Sequence, residues 1–379
     1  MATLTLIHLR CRDPKELQVD PIDGGAQTDG TGTRDAAKLD LSVALLDASP
    51  PDSDVLDASI PDAADAPVAF ARAEVFAPPG PLCDIPPSYV EDGGDPRLVS
   101  CRVETDRFSN QPEIPARVRI ATWNVRFGVD SASVATTLAT HPELRSADVI
   151  LLQEVARFDL ASNPPELNQA RELARALEFD YAFAVEWDRR EHEDERGEHG
   201  TAILSKFPIG NLTQIRHVAL NDWWAEDQRY GGRMTLGADL LVGARVIRVY
   251  SSHLDTRPRV PSDEGRAQQG AEIRADADLE GRPDLQLVGG DLNTWTCNFR
   301  AEDCTRPPSA ELVVQDFLAA GWSDGTAGFN GHTQVGAGFF RQRLDWIFVR
   351  GATVAPGTML PDAEGSDHLP IYTELVLTQ

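Results

Sequence analysis

Positive charge is what this chain lacks most. Lysine occurs at only three of 379 positions, Lys15, Lys38 and Lys206. Arginine lifts the basic total to 35, against 60 acidic residues, for a net charge of −25. A surface of that sign repels phosphate polymers, so charge-driven binding of nucleic acid is not expected. A metal-dependent enzyme escapes this exclusion, because a bound cation supplies positive charge locally. No apolar run is long enough to span a membrane. The stretch ATLTLIHL near the start is too short and too poorly flanked for a secretory signal. There is no CxxC, which argues against a structural zinc site, and no internal repeat.

Cysteine is sparse but suggestively placed. Of the five, Cys83 and Cys101 lie near each other, as do Cys297 and Cys304, and Cys11 stands apart. Two loop-closing disulfides would suit an oxidising compartment. Five reduced or buried thiols account for the same spacing equally well.

The charge is unevenly spread. Residues 1–116 hold 9 Lys and Arg against 21 Asp and Glu, and residues 117–379 hold 26 against 39. Within the first third, residues 1–80 read as a disordered acidic tail, rich in Asp, Ala, Pro, Gly and Ser and too poor in apolar area to offset chain entropy. DASPPDSDVLDASIPDAADA resembles in composition the spacers that follow the anchor of bacterial envelope lipoproteins. On that likeness the natural start lies upstream of Met1. The spacer and the paired cysteines favour an extracytoplasmic location, whether periplasmic, secreted or lipid-anchored; the missing signal segment favours the cytoplasm. Residues 81–116 are expected to form a linker or a packed extension.

From Arg117 the texture changes to that of a folded domain, expected to be monomeric. VRIATWNV, DVILLQEV, TAILSKF, RMTLGADLLV, ARVIRVYSSHL, LQLVGGDL, RLDWIFV and IYTELVL read as strands. PELNQARELARALEF has helical spacing, PSDEGRAQQGAEIRADADLEG a polar, exposed helical pattern, and SAELVVQDFLAAG is a helix with Ser309 as N-cap and Gly321 after its end. Strands with interspersed helices imply α/β layers.

Polar residues stand at the strand ends, where an apolar run would normally stop in a turn. They are Asn124 in TWNV, Glu154 in LQEV, His253 in SHLD, Asp291 and Asn293 in GGDLN, Asp345 in LDWIF, and Asp367 and His368 in SDHLP. Singly each is weak, since a strand-end Asp is more often a turn residue and a lone His more often structural. Together they can converge on one end of a sheet. Hard oxygen donors suit Mg²⁺ or Mn²⁺ rather than zinc, and a His beside a carboxylate is oriented and kept protonated by it.

The order TWNV, LQEV, GTAILS, SHLD, GGDLN, LDWIF, SDHLP resembles the endonuclease/exonuclease/phosphatase superfamily, the DNase I-like metal-dependent phosphoesterases, over residues 117–379. The resemblance implies a four-layer α/β sandwich of two packed mixed sheets flanked by helices. It implies one or two Mg²⁺ or Mn²⁺ ions, with Glu154, Asn124 and Asp367 on the metal side. It assigns substrate phosphate to Asn124, Asn293 and His253, water activation to Asp291, and a paired catalytic histidine to His368 with Asp345. Glu198, in RGEHGTAILS, stands where some members place the carboxylate partner of His253.

The expected activity is hydrolysis of a phosphodiester by in-line attack of water. A secreted nuclease, a phospholipid or sphingomyelin phosphodiesterase, and a non-catalytic binding module on the same fold are the alternatives. Arg189, Arg190, Arg196, Arg257 and Arg259 are candidates to meet an anion at the rim, although a solvated loop is the simpler reading of residues 186–199. Trp223, Trp224 and Tyr230 suit packing before they suit base stacking or a lipid surface. Protein from the native host is expected to show fewer than the five free thiols that the sequence allows, counted by mass spectrometry after alkylation. All five free would place it in a reducing compartment.

Overall fold

Apolar residues alternate along the strands, and that period of two builds two sheets with distinct faces. The structure, a computed structural model, describes residues 75–76, 103–110, 114–157, 168–188, 197–217, 230–256, 262–294, 311–327, 329, 331–335 and 341–377. Short strands β1 (Val75–Phe76) and β2 (Val103–Asp106) precede β3 (Arg117–Asn124). Helices α1 (Ser131–Thr140) and α2 (Pro142–Ser146) lead to β4 (Val149–Arg157), and α3 (Gln169–Leu177) leads to β5 (Asp180–Asp188) and β6 (Glu198–Ser205). Next come β7 (Ile209–Arg216), β8 (Tyr230–Gly231), β9 (Met234–Val242) and β10 (Arg245–His253). Helix α4 (Ser262–Ala277) joins β10 to β11 (Gln286–Asp291), and α5 (Leu312–Ala319) precedes β12 (Ser323–Asp324). The rest is β13 (Gln334–Val335), β14 (Arg341–Gln342), β15 (Asp345–Arg350), β16 (Thr353–Val354), β17 (Thr358–Met359) and β18 (Ile371–Val376).

The first sheet runs β1-β2-β5-β6-β4-β3-β18-β16, with β8 and β17 attached, and the second runs β12-β15-β11-β10-β9-β7. Pairing is antiparallel except for β3 with β4 and β10 with β11. Three apolar layers separate four structural layers. Val118, Ile120, Val149 and Leu151 of the first sheet meet Leu236, Val249, Leu287 and Ile347 of the second. Trp123, Ile150 and Leu152, on the opposite face of the first sheet, pack under α1 and α3 through Val134, Leu138 and Leu173. Tyr250, Val288, Trp346 and Phe348 pack under α4 and α5 through Ile273, Val313 and Phe317. The four-layer α/β sandwich expected from the sequence is the fold observed.

Local signals explain the helix ends. The Asp130 side chain accepts from the Ser133 amide at the start of α1, and Asn168 accepts from the Ala170 and Arg171 amides at the start of α3. The sheets approach closely at Gly289, where a Cβ would stand 2.7 Å from Leu151 Cδ1. At Gly290, with φ +155°, a Cβ would collide with the Ser252 carbonyl, so only glycine serves.

Two expectations need correction. The polar helix α4 is not fully exposed: Arg266, Gln269, Ile273 and Asp276 are buried. Its buried charges are paired, Arg266 with Glu311 at 3.1 Å and Asp276 with Arg248 at 3.1 Å, so the side facing the sheet reads as polar in sequence. The residue at the N-cap of α5 is Glu311, whose carboxylate is spent on Arg266; Ser309 lies outside the described residues. Upstream of Arg117, β2 forms an extension that pairs with β5. In this extension Glu104 accepts from the Tyr181 hydroxyl at 2.6 Å and from Arg157 at 3.1 Å, while Asp180 accepts from the Phe108 and Ser109 amides. The proposed tail lies outside the described residues except for β1, and so do all five cysteines.

Replacing Glu104 with alanine leaves the Tyr181 hydroxyl and one arm of Arg157 without their acceptor. Glu104→Ala is expected to cost about 2–3 kcal/mol, read as a fall in the urea midpoint at unchanged slope. An unchanged midpoint would make the extension an ornament of the domain.

Candidate active site

Continuing the inward row of each strand past the apolar core leads to one polar pocket. Val118, Ile120 and Thr122 are followed on the same face by Asn124; Ile247, Val249 and Ser251 by His253; Leu287 and Gly289 by Asp291; Val349 and Ile347 by Asp345. Register aligns the ends. His253 pairs with Asp291 across β10 and β11, and Asp291 with Asp345 across β11 and β15. In the other sheet Asn124 stands beside Gln153. Below the pocket Gln153 Nε2 donates to Ser251 Oγ at 3.1 Å, and Ser251 Oγ donates to the Leu152 carbonyl at 3.0 Å, tying the sheets together.

Glu154 breaks the period. The register of β4 shifts between Leu152 and Val155, and Glu154 has φ 55°. This bulge sends Val155 back to the outer core and brings Glu154 Oε1 to 3.8 Å from His253 Nε2. A left-handed non-glycine residue costs free energy and persists only where the surrounding structure over-determines it, commonly at functional sites. Asn293 is the second such residue at the pocket, with φ 50°. Its backbone amide donates to Asp291 Oδ1 at 2.9 Å, and its side-chain amide donates to the Leu254 carbonyl at 2.8 Å, so it shapes the turn that carries Asp291.

Asp291 is the hub. Its Oδ2 accepts from Asn124 Nδ2 at 3.0 Å and lies 3.5 Å from His253 Nε2 and 3.8 Å from His368 Nε2. Burial alone would raise its pKa; the two histidines reverse this and hold it below the usual carboxylate range. Glu154 goes the other way, because burial outweighs its cationic neighbours and pushes it up. His368 Nδ1 donates to Asp345 Oδ2 at 2.8 Å. Burial would lower the His368 pKa, but the Asp345 and Asp291 carboxylates more than compensate and raise it to about 10.

The SDHLP loop is tied on several sides. Trp123 Nε1 donates to the His368 carbonyl at 2.8 Å, and Ser366 Oγ donates to the Asn124 carbonyl at 2.6 Å. The Leu369 amide donates to the Thr333 carbonyl at 2.6 Å, and the Val335 amide to the Asp367 carbonyl at 2.7 Å. Gly365, with φ +110°, lies so close to α1 that a Cβ would stand 2.6 Å from the Val134 nitrogen.

Two expected placements differ. Glu198 does not meet His253; it pairs with Arg157, whose Nε donates to it at 2.7 Å. The carboxylate beside His253 is Glu186, with Oε2 at 3.2 Å from Nδ1. Glu186 was legible only as a lone acid inside the apolar run DYAFAVEW of β5. Asp367 turns away from the other acids to the half-exposed Arg126, whose Nε is 3.6 Å distant. Arg233 was also missed. It donates to Glu186 Oε1 at 2.9 Å and stacks on Trp187 at 4.3 Å. Arg189, Arg190, Arg196, Arg257, Arg259, Trp223 and Trp224 lie outside the described residues, and Tyr230 is described only in its backbone.

Donor chemistry fits a divalent cation. Glu154, Glu186, Asp291 and Asp345 face Arg233 and the two histidines, an acid-rich and largely buried set. His253 Nε2 and Asp345 Oδ1 are buried without a hydrogen-bond partner. Ligand atoms of Asp291, Asp345 and His368 lie within 4.8 Å of one another, close enough to share an ion. His368 gives its Nδ1 hydrogen to Asp345, which leaves Nε2 as the ring atom that could meet such an ion.

This fold and pocket define a class, a two-sheet α/β sandwich with carboxylates and histidines gathered at one end of the interior layer. The profile of the endonuclease/exonuclease/phosphatase family matches residues 121–368, and the chain belongs to that family. Its name joins nucleases and phosphatases, both hydrolases of phosphoester bonds. An endonuclease/exonuclease/phosphatase from Beutenbergia cavernae superposes with a TM-score of 0.51 at 23% identity, over 69% of this chain and 72% of that one. A family protein from Leptotrichia buccalis gives 0.49 at 19%, over 69% and 100%. The human Nocturnin catalytic domain with bound sulfate gives 0.48 at 16%, over 70% and 97%. No curated protein matches the sequence.

A histidine in an unfolded chain titrates near 6.5, below the value of about 10 for His368. The pair with Asp345 therefore contributes stability in full below pH ~6.5 and loses it as pH rises towards 10. In metal-free protein the stability gap between wild type and His368→Asn is expected to shrink across that window, measured by urea denaturation. A pH-independent gap would mean that the pair carries no imidazolium.

Proposed function

We propose that this protein is a Mg²⁺- or Mn²⁺-dependent phosphoesterase that hydrolyses a phosphodiester. The observation that carries the reading is the register of His253, Asp291 and Asp345 on three adjacent strands, facing Asn124 and Glu154, with His368 hydrogen-bonded to Asp345.

Each residue then has a task. Asp291, ionised at neutral pH, orients the attacking water and accepts its proton as oxygen bonds to phosphorus. His368, held by Asp345, donates from Nε2 to the phosphoryl or leaving oxygen as the ester P–O bond breaks. Asn124 keeps Asp291 in place through its 3.0 Å hydrogen bond; its Oδ1 accepts from the Arg126 amide at 3.0 Å, which leaves the second Nδ2 hydrogen for the phosphate side. His253 turns Nε2 to the same space. Glu154 is the residue to hold the metal, with Asp291 near it, for one ion or two. A divalent ion bound there would neutralise phosphate charge and polarise the P–O bond. Asp367, paired with Arg126, acts on the rim of this arrangement.

Preorganised charge at the reacting centre is worth orders of magnitude in rate. Asp291→Ala and His368→Ala are each expected to cut turnover of bis(p-nitrophenyl) phosphate by roughly 10²–10⁴-fold while the fold, followed by circular dichroism, is kept. Activity is expected with Mg²⁺ or Mn²⁺ and lost with EDTA. Near-normal turnover in both variants would overturn the assignment. Cleavage of p-nitrophenyl phosphate alone would redirect it to phosphomonoesters. No metal-dependent shift in thermal stability and no cleavage of either ester would favour a binding module.

A further inference from the structure

Thr333 is fully buried and touches the backbone on both sides of the His368 and Asp345 pair. Its Oγ1 accepts from the Leu344 amide at 2.9 Å and from the Asp345 amide at 3.1 Å. These two amides open β15. The neighbouring strand β12, continued by the Gly325 amide, reaches β15 only as far as Ile347, and so stops short of them. A buried amide without an acceptor is costly, and here one hydroxyl oxygen serves two.

The backbone of the same segment holds His368. The Leu369 amide donates to the Thr333 carbonyl at 2.6 Å, and the Val335 amide donates to the Asp367 carbonyl at 2.7 Å. Between these bonds Gln334 stands opposite His368 in an antiparallel bridge. The imidazole is thus tied on its two flanks, while the acid is tied through the threonine side chain. Asp345 and His368 are 23 residues apart. Asp345 opens β15 of the second sheet, and His368 precedes β18 of the first. The 2.8 Å bond from Nδ1 to Oδ2 therefore needs two separate backbones brought to one place. Packing alone would accept valine at this site, which has the same shape. The hydroxyl is what the two amides require.

We infer that Thr333 is a positioning residue that holds Asp345 and His368 in register, its hydroxyl fixing the backbone of the acid and its carbonyl the loop of the imidazole. The placement of the pair stands on this geometry; its effect on turnover rests on the phosphoesterase reading. A threonine that only stabilised the fold would lower stability and leave the pair intact. A positioning threonine, once removed, loosens the pair in protein that is still folded.

The test uses the full chain, metal-free for spectra and with Mg²⁺ for turnover of bis(p-nitrophenyl) phosphate. The hydrogen that His368 Nδ1 gives to Asp345 is expected as a low-field proton resonance, absent in His368→Asn and slow to exchange with water. Thr333→Val keeps the shape and removes the acceptor. That proton is then expected to exchange roughly tenfold faster or more, and kcat to fall roughly 10–100-fold with KM little changed, the loss expected when a catalytic group is slightly misplaced. Thr333→Ser keeps the hydroxyl and is expected to retain both the protected proton and most of the turnover. Val242→Ala truncates the interior core at the end of β9 remote from the pocket. It supplies a loss of stability that does not touch the pair, and both readouts are expected to stay as in wild type.

Thr333→Cys, which puts a weaker sulfur acceptor in place of the hydroxyl, serves if Thr333→Val does not fold, and is expected to show the same changes to a smaller degree. No protected proton in wild type, or unchanged exchange in Thr333→Val, would overturn the inference. So would an unchanged kcat in Thr333→Val where wild type is active, no rescue by Thr333→Ser, or the same losses in Val242→Ala. A proton loosened in Thr333→Val and kept in Thr333→Ser, in a protein that cleaves no phosphoester, would uphold the positioning role and remove the phosphoesterase reading instead.

Discussion

Burying like charges side by side is the constraint on which the pocket depends. Glu154, Glu186, Asp291 and Asp345 are all largely withdrawn from water. An unpaired carboxylate there would give up its charge or destabilise the fold. The chain answers with different partners for different acids. Arg233 takes Glu186, His368 takes Asp345, and Asn124 with the Asn293 amide satisfies Asp291. Glu154 meets His253 only at 3.8 Å, and burial raises its pKa, as it also raises that of Asp345 despite its bond to His368. The set of four acids is thus incompletely compensated by the protein groups around it.

The scaffold supplies the convergence through sheet periodicity. A residue at the end of an inward row cannot face elsewhere without a shift of register, and such a shift would expose the apolar row behind it. Core packing thus fixes the direction of Asn124, His253, Asp291 and Asp345. Glu154 is the informative exception, aimed by a bulge rather than by alternation, and Asn293 turns the chain back immediately after Asp291. The local strain sits where the pocket needs it and is carried by the tightly packed strands on either side.

This division explains what could be read from the sequence. Polar residues at the ends of apolar runs announced Asn124, His253, Asp291, Asp345 and His368, because alternation and strand ends are visible in one dimension. The partner of His253 was not visible in the same way. Glu186 lies in mid-run on β5 and Arg233 just before β9, and only the packing of the two sheets brings them together. Glu198, next to a recognisable motif, attracted the assignment that belonged to Glu186; Arg157 and the β4 to β6 pairing hold it elsewhere. The burial of α4 was hidden for a related reason, since its inward face carries Arg266, Gln269 and Asp276 beside Ile273.

The sign of the whole chain gains meaning in this light. With a net charge of −25, an approaching phosphate meets repulsion until it reaches groups that offer hydrogens or positive charge at close range. Among the described residues the pocket offers few of these: the His368 imidazolium, the Asn124 amide and His253. Arg233 is the strongest cation near them, yet it is turned to Glu186 and stacked on Trp187, so its charge is spent on that carboxylate rather than on attraction. On the proposed reading, the described part of the pocket would select its ligand by short-range complementarity rather than by long-range steering.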